Sequence, residues 1–210
     1  MNRSDAEILW EVARVLARDA AKVSRVAALP PLLFFTDPAR TPRPWETAAR
    51  LPAGAAVVFR HFGRPDAGET ALRLREVTAA GGVQLLIGLD DDLAEAVGAD
   101  GVHLPEHALG QARTLAETHP AWLITGAAHA GSAFDLPGLH ARVLSPVFEA
   151  GGASSTASPL GLEAFRASAA AASCPVYALG GIDAKNARGL IGSGACGLAG
   201  VSAIQAAFSA

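Results

Sequence analysis

A chain of 210 residues, half of them hydrophobic, is long enough to bury one large core, and residues 1–210 read as a single domain. A formal net charge of -3 with 17 Lys plus Arg excludes a nucleic-acid-coating role, which depends on neutralising many phosphates. No apolar run is long enough to cross a bilayer, and Met1 to Ala20 carries charges throughout, unlike a signal peptide, so a soluble cytoplasmic protein without a membrane partner is expected.

In chain order, Asp5 to Ala20 repeats its apolar residues at helical spacing and predicts an amphipathic opening helix. Strands are predicted at Leu32–Thr36, Ala55–Arg60, Gln84–Gly88, Gly101–Leu104, Trp122–Ala127, Arg142–Pro146, Val176–Gly180 and Gly197–Val201, eight in all. Between them, Gly68–Ala80, Asp91–Val97, Leu109–Thr118, Leu162–Ala172 and Asn186–Ser193 are rich in helix formers. Helical crossovers imply parallel pairing, and eight such units close into a (β/α)8 TIM barrel carrying an extra N-terminal helix. The fifth crossover, Gly131–Leu139, is short and broken by Pro137, which keeps a doubly wound open sheet as the alternative.

The last two strands each end in small residues directly before a helical segment. Gly180-Gly181 and Gly200-Val201-Ser202 let backbone N–H groups approach an anion closely, the layout of a barrel phosphate site after strands seven and eight. The competing reading makes these glycines turn residues only. Glu149–Pro159, rich in Gly, Ser and Ala, reads either as an active-site lid or as an inert linker, and Asp37–Trp45 is a proline-rich loop on the same face. Cys174 and Cys196 begin neighbouring strands and are expected as two buried thiols, and no Cys/His metal spacing is present.

FFTD near the start, VGADGVHLPE at 97–106, LSPVFE at 144–149, PLGLEAF at 159–165, and VYALGGI followed by NARGLIGSGACGLAGVSAI resemble the thiamine phosphate synthase and TenI family, across about residues 30–205. The resemblance implies a short (β/α)8 barrel with one of two activities. Synthases of the family join a pyrimidine methyl diphosphate to a thiazole phosphate with Mg²⁺, whereas TenI-like members aromatise a thiazole phosphate tautomer without the metal. The family's Gln-x-Arg-x-Lys strand end aligns with Val58–Phe62 and retains only Arg60, a candidate contact for a phosphate or diphosphate. Its Asn-Asp-Arg run aligns with Gly88-Leu89-Asp90, and the Asp beyond its Gly-Gln pair falls in Pro105-Glu106-His107-Ala108. Asp90, Asp91, Asp92 and Glu106 offer a relocated Mg²⁺ site, or the three aspartates are a helix N-terminal charge cluster. The lid's Thr-x-Thr/Ser-Lys is replaced by Ala150–Ala153, with Ser154, Ser155 and Thr156 beyond it, and the serine after strand five becomes Ala128.

The thiazole phosphate half of the pattern survives. Gly180, Gly181, Gly200, Val201 and Ser202 match the phosphate-binding positions, and His129 stands where TenI-like members place their proton-transferring histidine. His103 is expected in the core, and His61 and His107 at loop ends without an assigned partner. The expectation is therefore a barrel that binds a small-molecule thiazole phosphate as a TenI-like tautomerase, with catalytic His129 and Arg60 and no metal. Alternatives are a Mg²⁺-dependent synthase with moved ligands and a non-enzymatic phosphate-ligand sensor. The resemblance and the apolar opening helix make a homodimer plausible.

Overall fold

The computed structural model describes residues 3–23, 29–129, 131, 136–150 and 158–209. Eight parallel strands pair in chain order: β1 Leu32–Phe35, β2 Ala56–Phe59, β3 Gln84–Gly88, β4 Gly101–Leu104, β5 Leu123–Ala128, β6 Ala141–Leu144, β7 Val176–Leu179 and β8 Ala195–Gly200. Closure is explicit in the β1–β8 ladder, where Leu32, Leu33 and Phe34 register with Leu198, Ala199 and Gly200. That pairing removes the open-sheet alternative.

Because successive strand residues point to opposite faces and both faces are covered, the strands read as continuous apolar runs. Leu33, Phe35, Val58, Leu86, Val143 and Tyr177 fill the barrel interior. Leu32, Phe34, Val57, Leu85, Ile87 and Val102 pack outward beneath the helices. At the bottom of the barrel the Tyr177 hydroxyl donates to Pro30 O at 2.7 Å, and burial raises its pKa well above the usual phenol value. Cys196 shares this interior and burial pushes its thiol up, while Cys174 is only half-buried; neither is in a disulfide.

Helix α1 (Asp5–Val23) buries Leu9, Val12, Ala13 and Leu16, one stripe at helical spacing, against β8 and the C-terminal helix. The others are α2 (Pro44–Ala48), α3 (Ala67–Gly81), α4 (Asp91–Ala96), α5 (Ala112–Thr118), α6 (Gly161–Ala171) and α7 (Ser202–Phe208). Helix α2 was absent from the sequence expectation, whereas α7 is the helical segment expected directly after the last strand. The predicted helix at Asn186–Ser193 is only a 3-10 turn, Ala187–Leu190. Asp183 Oδ1 accepts the amides of Lys185 and Asn186, and Asn186 Oδ1 accepts that of Asp183, so these polar side chains hold the backbone in a turn. Among the described residues no helix is long and apolar enough to cross a membrane.

One carboxylate ties the β3–β4 register to α3. Asp100 Oδ2 accepts the Leu85 amide and Arg75 Nη1, both at 2.7 Å. Asp100→Ala is expected to cost about 2 kcal/mol, because a strand amide and a guanidinium both lose their acceptor. Thermal unfolding should show a fall of roughly 4–8 °C.

Candidate active site

A cavity of about 620 Å³ opens at the C-terminal mouth of the barrel. Its floor comes from inward-facing strand residues: Phe35 of β1, His103 of β4, Ala127 of β5, Val143 of β6 and Leu179 of β7. Its walls come from the segments after β2, β3, β4 and β5, which bring in Arg60, His61, Phe62, Leu89, Asp90, His107 and His129. Strand ends at this face carry the chemistry of barrel enzymes.

His103 lies on the floor because its neighbours Val102 and Leu104 face outward into the helix layer. Nδ1 is 2.9 Å from Thr125 Oγ1, and the ring meets Phe35 edge-on at 4.9 Å between centroids. Burial and the nearby Arg60 charge push its pKa down to about 3, so it is neutral at pH 7. The expectation of a buried, satisfied histidine holds, and the structure adds that it faces the cavity.

This ring has a consequence for stability. The folded value lies below the unfolded value of 6.5, so the neutral ring's contribution is complete above pH 6.5 and is lost as pH falls toward 3. Across that window the wild type is expected to lose about 1.4 kcal/mol per pH unit relative to His103→Asn, measured by denaturant unfolding.

His129 follows β5 directly, and its Nδ1 is 2.7 Å from Glu106 Oε2, with both side chains about half-exposed. Glu106 opens the 3-10 segment Glu106–Gln111 after β4, one strand away. The carboxylate fixes the ring's orientation. A second pair stands after β2 and β3. Asp90 caps α4, its Oδ1 accepting the Leu93 amide at 2.9 Å, while Oδ2 lies 3.2 Å from His61 Nε2. His61 Nδ1 accepts the Gly63 amide at 3.1 Å, which sets the tautomer with its proton toward Asp90.

Arg60 is turned inward. Its Nε donates to Thr36 O at 2.8 Å, Nη2 is 4.0 Å from Asp37 Oδ2, and that Nη2 is buried without a hydrogen-bond partner. The guanidinium sits 5.3 Å from the Phe35 ring centroid and 5.5 Å from that of Phe62. Burial lowers its pKa to about 10, which still leaves it a cation at neutral pH.

Of the predicted phosphate residues, Gly180 and Gly181 have φ of 101° and 65° and follow β7. A side chain at Gly180 would strike Pro146 and one at Gly181 would strike Glu149 O, so both glycines serve close packing of the segment after β6. Gly200 ends β8, Val201 caps α7 and Ser202 is exposed at its start. The β7–β8 pairing, Leu179 with Ala199, sets the two glycine ends side by side. None of the five lines the cavity that holds His129 and Arg60, so the structure forms two neighbouring clusters.

The family model described as thiamine monophosphate synthase matches residues 43–204. The chain belongs to that family. A thiamine-phosphate synthase of Methanoculleus marisnigri is 36% identical over 139 residues, covering 64% of this chain and 65% of the relative. One from Chloroflexus aurantiacus is 33% identical over 164 residues, covering 76% of each. The matched region thus spans just under two thirds of the Methanoculleus relative's length. In fold, the chain is similar to a thiamine phosphate pyrophosphorylase from Pyrococcus furiosus, with a TM-score of 0.67 at 24% identity over 85% of this chain and 91% of that one.

The Mg²⁺ that the synthase branch of the thiamine monophosphate synthase family implies is a poor fit to these donors. Among the described residues no three of His, Cys, Asp and Glu converge as a metal set. Asp90 is committed to a helix cap and to His61, and Glu106 to His129. Mg²⁺ takes one or two carboxylates together with water and phosphate oxygens in near-octahedral array, so binding here would compete with those two imidazole contacts. The helix-terminal reading of Asp90, Asp91 and Asp92 matches what is seen, since Asp90 is the cap and the other two open α4. Ser154, Ser155 and Thr156, with most of the predicted lid, lie outside the described residues.

Proposed function

We propose that this protein is a TenI-like isomerase that binds a thiazole phosphate and converts one tautomer to the aromatic form. The observation that carries the reading is the 2.7 Å His129–Glu106 pair at a cavity whose donors do not suit Mg²⁺ and a diphosphate. Tautomerisation leaves composition unchanged: one carbon gains a proton and another loses one. A single imidazole suits both transfers, taking the proton at Nε2 while Glu106 holds Nδ1. In this reading Gly180, Gly181, Gly200, Val201 and Ser202 receive the phosphate through backbone amides and the Ser202 hydroxyl, Arg60 supplies a guanidinium at the cavity, and neutral His103 faces the ring from the floor.

The test is solvent deuterium incorporation into a thiazole phosphate tautomer, followed by NMR with a chelator present. Chelator-insensitive exchange that tracks aromatisation supports the isomerase, and its absence sinks it. The names of the relatives favour a second reading, a Mg²⁺-dependent synthase. It predicts thiamine phosphate, detected by mass spectrometry, only when a pyrimidine diphosphate and Mg²⁺ are added. Under either reading the protein acts in the cytoplasm on small phosphorylated molecules, without nucleic acid or membrane, and forms a homodimer that light scattering would detect.

A further inference from the structure

The barrel face opposite His129 holds a second cavity, of about 540 Å³. Its inner wall is built from the N-terminal ends of strands: Gln84 opens β3, Pro175 stands just before β7, and Cys196 lies near the start of β8. Helix α1 supplies the rim through Arg14, Ala17 and Arg18. The size is that of a small-molecule site, where an apolar lining carries a few placed polar groups. This end of a barrel does not carry its chemistry, so the cavity suits binding rather than turnover.

Its polar groups lack the partners that the fold supplies elsewhere. Neighbouring charges on α1 are matched: Arg3 and Arg188 reach Glu11, and Lys22 Nζ is 2.8 Å from Asp19 Oδ1. Arg14 and Arg18, one turn apart and both exposed, form no ion pair among the described residues, and Arg18 acts on Asp19 only at longer range. Like charges four residues apart on a helix repel, a destabilising arrangement that an anion between them would reverse. Deeper in, Gln84 Oε1 is buried with no hydrogen-bond partner. The Tyr177 hydroxyl, a donor at the same end of the barrel, is committed to Pro30 O. A buried acceptor in this state calls for a donor from outside the chain.

We infer that this cavity binds a small organic carboxylate whose apolar body carries an N–H or O–H donor at the end remote from the carboxylate. The two guanidiniums take the carboxylate, each offering paired N–H donors to its oxygens. The body displaces water from Ala17, Pro30, Pro175 and Cys196, whose thiol burial keeps neutral. The donor meets Gln84 Oε1. A molecule without the charge leaves the arginines' repulsion in place, and one without the donor leaves the amide oxygen buried and unmet. The inference concerns the face away from His129 and stands without the isomerase reading.

The experiment is a ligand-observed NMR titration of the full chain with indole-3-propionate, which carries a carboxylate, an apolar ring and a ring N–H in that order. Two relatives each lack one group: indole-3-propanamide has no charge, and 1-methylindole-3-propionate has no ring donor. The amide is expected to bind about tenfold more weakly or worse, and the N-methyl acid about threefold to tenfold more weakly, the usual worth of hydrogen bonds to a charged and to a neutral group. Arg14→Ala combined with Arg18→Ala places good helix formers on an exposed helix face, so the protein stays folded, and acid and amide should then bind equally. Gln84→Leu replaces an unmet buried acceptor with an apolar group, so it should melt no lower than the wild type and bring the N–H and N-methyl acids to equal affinity. No binding of indole-3-propionate, equal affinity for acid and amide in the wild type, or a preference that survives the matching substitution would each overturn the proposal. His129→Ala should leave the whole series unchanged, so loss of isomerase activity and loss of this site are read separately.

Discussion

Replacing His129 with alanine is expected to slow isomerisation of a thiazole phosphate by about 10²–10⁴-fold, the contribution of a positioned general acid–base group. The side chain stands at the end of β5 and is half-exposed at the cavity, so its removal opens no core void and should leave thermal stability nearly unchanged. Affinity for the thiazole phosphate should also persist, because the proposed phosphate contacts follow β7 and β8. A fall in kcat without a rise in KM is what a group acting only in the transition state produces. Glu106→Gln removes the charge but keeps a hydrogen-bonding partner for Nδ1, so it should lower kcat by less than His129→Ala does. A His129→Ala protein that retains full kcat would remove the isomerase mechanism, whatever the ligand.

What could be read from the sequence follows the range of the interactions involved. Strands such as Gln84–Gly88 and Gly101–Leu104 fall where predicted because a buried parallel strand is a local apolar run bounded by Gly and Asp. Helix α2 was missed because Pro42 and Pro44 read as a loop, although Pro44 stands at the first helical turn, where its absent N–H costs nothing. The turn at Ala187–Leu190 was overestimated as a helix, since side-chain bonds from Asp183 and Asn186 outweigh the propensity of the following Ala and Arg.

The candidate site divides along the same line. His129 and Arg60 were legible as residues at strand ends. Their partners were not, since Glu106 lies 23 positions from His129 and meets it only when β4 and β5 pair. Likewise Asp90 was legible as a helix cap, but its close approach to His61 depends on the β2–β3 ladder. Glu106 and Asp90, considered from sequence as metal ligands, are carboxylates that orient imidazoles. The glycines after β7 raise the complementary question, because two readings of one feature, phosphate approach and close packing, both require the missing Cβ.

Gly181→Ala separates these readings and is expected to be the most damaging single methyl addition near the site. Alanine at φ 65° pays about 1–2 kcal/mol for the left-handed conformation. Its Cβ would also stand 2.3 Å from Glu149 O and 2.8 Å from the Phe148 carbonyl carbon, both backbone atoms with no side-chain freedom to yield. The segment after β6 must withdraw, and with it go the Phe148 amide's bond to Gly180 O at 3.0 Å and the Val147 amide's bond to Leu179 O at 2.9 Å. A total loss of about 2–4 kcal/mol follows, or a melting temperature lower by roughly 5–15 °C. Gly54→Ala supplies the comparison, with φ 87° and nothing within 4 Å of the added carbon, so only the conformational share of about 1 kcal/mol should appear. If the two variants melt together, the packing role of Gly181 is wrong. If Gly181→Ala melts lower and also weakens inorganic phosphate binding while Gly54→Ala does not, then seating the segment after β6 and presenting amides to an anion are one structural requirement met by one glycine.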